Sequence, residues 1–80
     1  MPEEELFKTE EPLSRSAIAE HLAAAAEQIE AGTVTLQSDT AIETVSIPSD
    51  PLFEVELERL TDSETGSQRY EIEYEIRWTK

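Results

Sequence analysis

Tyr70, Ile72, Tyr74, Ile76 and Trp78 hold every even position of the closing stretch, and charged residues hold every odd position between them. Such alternation is the pattern of a β-strand with one apolar and one wet face, because successive side chains on a strand point to opposite sides. A helix would scatter the same residues around its circumference. The rest of the chain is therefore read as whatever is needed to cover this row.

From the other end, Glu5 to Thr9 reads as a short first strand, with either Leu6 or Phe7 toward the core. Pro12 ends it, since the ring fixes φ and leaves no N–H for a ladder. Ser14 is placed to cap a helix with its hydroxyl, and Leu13 to pack on Ile18 as a hydrophobic staple. Neither glycine nor proline interrupts Arg15 to Ala31. Ile18, Leu22, Ala25, Ala26 and Ile29 form one stripe at helical spacing, with Glu20, Glu27 and Glu30 opposite. Gly32 suits the left-handed residue that closes a helix.

Thr33 to Gln37 alternates and is rich in β-branched residues, so it reads as a strand, and Ser38-Asp39-Thr40 as a turn. Val45 and Ile47 share a face of the next strand, while Ile42 breaks the parity. Pairing Val34 with Ile47 and Leu36 with Val45 would put all four on one side. Pro48-Ser49-Asp50-Pro51 is a boundary. Leu52 to Leu60 puts Phe53, Val55 and Leu57 on one face and Glu54, Glu56 and Glu58 on the other. A turn tip at Thr65-Gly66 sets Phe53 against Trp78, and a tip one residue earlier sets Phe53 against Ile76 and Val55 against Tyr74. Both registers keep the apolar rows together. The expected fold is α+β, in the order β-α-β-β-β-β, with one helix packed on the apolar face of a largely antiparallel sheet. Residues 1–80 are read as one domain.

Nineteen acidic residues against six basic ones leave a net charge of −13. That exceeds the ~2–8 that keeps a small domain soluble. Nucleic acid needs a basic footprint that is missing here, and anionic membranes repel such a chain. No apolar run approaches the ~20 residues of a membrane span, and the acidic N-terminus is the reverse of a secretory signal. A cytoplasmic location is expected. Regular apolar periodicity argues against disorder. The acidity reads as adaptation to a saline cytoplasm, because molar salt cuts the Debye length to ~3 Å.

The pattern resembles the amphi-Trp domain, a small family of halophilic archaea and some bacteria. The likeness lies in Leu6-Phe7, Ser14-Arg15, Ile29-Glu30-Ala31-Gly32, Val34-Thr35-Leu36, Val45-Ser46-Ile47-Pro48, Glu54-Val55-Glu56-Leu57-Glu58 and the amphipathic strand closed by Trp78. The resemblance implies a haloarchaeal origin and carries no catalytic residues with it.

Three groups of residues are candidate sites. His21, the single histidine, has no cysteine partner in the chain, and Ser14 or Ser16 would need a held base and an oxyanion site to act as nucleophile. His21 is read as a flank residue of the helix, with no catalytic residue assigned. Glu54, Glu56, Glu58, Glu71, Glu73 and Glu75 share the outer face of the last hairpin. Carboxylates two apart on a strand are ~6.8 Å apart, too far to share a hard cation within one strand. That face is read as collecting loosely held monovalent cations, with no discrete metal site and no cofactor. Tyr70, Tyr74 and Trp78 form a core row or a platform for a partner. The expected function is a small non-enzymatic interaction module that binds a protein partner or itself. A small-ligand or cation-binding domain is the alternative, and an enzyme the least favoured.

The charge carries a direct test. Folding should be lost or greatly weakened below ~0.1 M salt, where the Debye length reaches ~10 Å and repulsion spans the glutamate face. A far-UV circular dichroism melt that is the same in dilute buffer and in molar KCl would refute this.

Overall fold

A computed structural model describes residues 2–80. The chain divides into two compact units, Met1–Ser49 and Asp50–Lys80. It is an α+β protein, with one helix and two small antiparallel sheets of two strands each among the described residues.

In the first unit, helix α1 spans Arg15–Ala31. Ser14 sits in extended backbone, and its Oγ accepts the N–H of Ala17 at 3.1 Å, which satisfies a donor the first turn cannot pair internally. Gly32 ends the helix at φ 93°, and its N–H donates to the carbonyls of Gln28 and Ile29 at 3.0 and 3.1 Å.

Strands β1 (Thr33–Gln37) and β2 (Ile42–Ser46) follow as an antiparallel hairpin. Val34 pairs with Val45 and Leu36 with Glu43, and the Ile47 N–H donates to the Gly32 carbonyl at 2.9 Å. The expected pairing of Val34 with Ile47 and Leu36 with Val45 is thus shifted by two residues. Ser38 causes the shift. Its Oγ accepts the N–H groups of Thr40 and Ala41 at 3.3 and 3.1 Å, tightening the turn onto Asp39-Thr40. A slip of two preserves the parity, so Val34, Leu36, Val45 and Ile47 still share a face, while Ile42 lies on the other. Val34 is the buried residue of this face, at 8% exposure.

The Gln28 side chain joins helix to hairpin, its Oε1 accepting the Thr35 N–H at 2.7 Å. In this register Thr35 directs its N–H away from β2, so Gln28 occupies a donor on the free edge of β1. The expected first strand, Glu5 to Thr9, is absent, and residues 2–14 form no helix or strand. The edge donor it would need at Thr35 is taken, and Pro2, Pro12 and the flanking glutamates oppose a ladder. Phe7 alone in that stretch is half-buried.

In the helix, Ala17, Ala25 and Gln28 are half-buried, while Ile18, Leu22 and Ile29 stay exposed. At about 100° per residue, the centre of the expected apolar stripe lies roughly a quarter-turn from the mean direction of Ala17, Ala25 and Gln28. Small side chains and one glutamine are thus the half-buried positions of α1, and Gln28 is tied to β1 through Thr35.

The second unit is a single long hairpin, β3 (Leu52–Thr61) with β4 (Gln68–Arg77). Phe53 pairs with Ile76, Val55 with Tyr74 and Leu57 with Ile72, the second of the two registers expected. Asp62 selects it. Its Oδ1 accepts the N–H groups of Glu64 and Thr65 at 2.8 and 3.2 Å, and Gly66 at φ 75° turns the chain back. The tip is therefore centred on Glu64-Thr65. The single five-stranded sheet read from the sequence is replaced by two separate pairs. Proline at 48 and 51 removes backbone donors from the segment between them.

The cap gives a stability test. Ser14→Ala should cost ~0.5–2 kcal/mol, since the Ala17 N–H loses its acceptor. The readout is the midpoint of chemical denaturation, and one equal to wild type would show that the hydroxyl contributes nothing.

Candidate functional site

The pleat of β3–β4 sorts its side chains completely. On one face lie the cross-strand pairs Phe53–Ile76, Val55–Tyr74, Leu57–Ile72, Arg59–Tyr70 and Thr61–Gln68. Trp78 follows Ile76 in the same parity. The Phe53 and Tyr74 rings stack, with centroids 6.3 Å apart and planes 8° from parallel, a diagonal contact that stiffens this end. Tyr70 donates its hydroxyl proton to Gln68 Oε1 at 3.0 Å. A two-stranded hairpin has no second layer of its own, and this face stays open. Leu57 is 69% exposed, Ile72 67% and Tyr70 62%, while Trp78 is 37% exposed and Ile76 is half-buried.

The opposite face carries the six glutamates in directly opposed pairs, Glu54–Glu75, Glu56–Glu73 and Glu58–Glu71. Like charges placed so destabilise a sheet. Arginines bracket the rows at both ends. Arg77 reaches Glu54 at 3.2 Å and Glu75 at 3.5 Å, and Arg69 reaches Glu71 at 3.1 Å. The centre has no such relief. There Glu56 is pushed up to about 7, first by a hydrogen bond with Glu58 and the repulsion of that carboxylate, then by desolvation and by Glu54 and Glu73. A cleft of about 70 Å³ lies between Glu56, Glu58, Glu71 and Glu73. Among the described residues no three carboxylate or imidazole groups converge to hold a metal ion.

At the turn, Asp62 is held below the usual carboxylate range by the N–H groups of Glu64 and Thr65.

His21 stands elsewhere, in the first unit. It lines an open groove of about 750 Å³ with Phe7, Ala25, Gln28, Val34 and Leu36. The structure does not bring it to Ser14, whose hydroxyl serves the helix cap. Sequence reasoning passed over two residues of consequence. Arg59 is the one charge on the apolar face, and its odd position in β3 already put it there. Gln28, which holds the edge of β1, gave no sequence signal, since a glutamine amid alanines reads as helix surface.

A small α+β chain built on an amphipathic hairpin that ends in tryptophan is the class that this geometry defines. The chain belongs to the Amphi-Trp domain family, whose model matches residues 1–80. No curated protein and no solved structure matches it. No helix among the described residues is long and apolar enough to cross a membrane.

The two shifted carboxylates set opposite pH trends. Glu56 has its pKa raised on folding from 4.5 to about 7, so its contribution is fully present below 4.5 and is lost as pH rises through 7. Asp62 is lowered from 3.8, so its contribution is present above 3.8 and is lost on strong acidification. Stability of the hairpin should therefore rise between pH ~8 and ~5 and fall again below ~3.5. Glu56→Gln should flatten the first limb in denaturation midpoints measured at fixed molar salt. A variant with the wild-type slope would assign that limb to other groups.

Proposed function

We propose that this chain is a small non-enzymatic interaction module of a high-salt cytoplasm, and that it binds a protein partner through the apolar face of β3–β4. The observation that supports this is the unbroken row Phe53, Val55, Leu57, Ile72 and Tyr74, flanked by Tyr70 and Trp78, on a hairpin with no second layer. Monomers seldom leave apolar patches above ~300–600 Å² open to water, and larger ones mark contact surfaces. The acidity supports the saline setting: the opposed glutamate pairs are tolerable where salt screens them. Tyr70, Tyr74 and Trp78 act here as anchors, aromatic groups being enriched where protein surfaces meet. A small-ligand-binding domain is the second reading, and the groove beside His21 supports it.

The test is the native mass of the chain in a cell extract kept at molar salt. The wild type should run in an assembly heavier than its 9.0 kDa, and Ile72→Lys should not. A wild-type chain recovered alone would sink the interaction reading and leave the groove as the feature to pursue.

A further inference from the structure

We infer that the partner is a second copy of this chain, packed face to face on the β3–β4 hairpin about a two-fold axis near Leu57 and Ile72. This deepens the proposed interaction role and rests on it. The area is sufficient. Scaled from ~150–250 Å² for a buried aromatic group and roughly 100 Å² for an aliphatic one, the exposed parts of the row come to roughly 600 Å² per copy. A pair would bury roughly 1,200 Å², the lower bound for stable specific interfaces.

The charges permit this association and oppose the alternative. Two like copies can meet strand edge to strand edge or face to face. Edge pairing would extend the Glu54–Glu75, Glu56–Glu73 and Glu58–Glu71 rows into a wider sheet of adjacent carboxylates. Face packing sets the sheets ~10 Å apart with both glutamate faces outward, so the two sets of carboxylates stand on the order of 20 Å from each other, about two Debye lengths at ~0.1 M salt and more at higher salt.

The single charge of the face then orients the pair. Leu57–Ile72 is the middle of the five same-face pairs, and Arg59–Tyr70 is next toward the turn. In a two-fold pair whose strands run in the same direction, β3 lies over β4, and the two Arg59 groups stand at the same level, each over Tyr70 of the other copy. In the reversed arrangement Arg59 of one chain lies over Val55 and Tyr74 of the other, where a guanidinium is attracted to the ring face. The reversed arrangement therefore keeps the two guanidinium groups apart along the strands, and in it the uncharged centre meets itself.

Purified protein at molar salt decides the matter. Sedimentation should give twice the 9.0 kDa chain mass, and the melting temperature should rise with protein concentration, as for any folded state held by association. Ile72→Lys should weaken the dimer at least ~10-fold, with circular dichroism reporting whether the chain stays folded. Because the chain has no cysteine, Leu57→Cys gives a unique thiol that a short bis-maleimide should link between copies, while Glu56→Cys on the outer face should not be linked. A dimer that links through Glu56→Cys, or that survives Ile72→Lys unchanged, overturns the proposal. So does a 9.0 kDa species whose melting is independent of concentration. In that last case, a heavier assembly in the extract leaves the interaction role standing with a different protein, and its absence ends both.

Discussion

The pleat is the constraint from which the rest follows. Because side chains on a strand alternate faces, a sequence with charges at one parity and apolar groups at the other must place them back to back. In β3–β4 the two strands do this in register, so six carboxylates accumulate on one side and an aliphatic and aromatic row on the other. Neither side is satisfied within the hairpin. One needs counter-charge or ions, the other needs a covering surface. A two-stranded hairpin is marginal in water for the same reason.

The magnitudes show which remedy matters. Arg69 and Arg77 make exposed ion pairs, and such pairs are worth ~0–1 kcal/mol each. They reach only the ends of the glutamate rows. The centre, where Glu56 takes up a proton near neutrality, is left to the solvent. Screening by salt acts on every pair at once, and it also strengthens apolar association when the ions are of the excluded kind. The concentration and kind of salt thus act on both faces together.

Much of this was legible from residue order. The cap at Ser14, the left-handed Gly32, the helix between them and the facing rows of β3 and β4 all follow from local rules, and the structure carries each of them. Register was the weaker point, because it depends on which side chain grips the turn. Ser38 and Asp62 settle it through hydrogen bonds that composition does not rank in advance. The missing first strand has a different cause. Leu6 and Phe7 read well enough locally, but a strand needs a free edge, and a helix side chain had reached that edge first. In the helix the half-buried residues are Ala17, Ala25 and Gln28, of which Ala25 alone belongs to the apolar stripe read from the sequence.

The contact of Gln28 with Thr35 has a consequence for the fate of the molecule when crowded. A bare strand edge is a template on which any passing chain can build, and cells hold many such chains. Gln28 closes the middle of the β1 edge with an acceptor that belongs to its own helix, so a newcomer finds the central donor spoken for. With that donor occupied, the β1 edge offers a foreign strand a ladder interrupted at its centre.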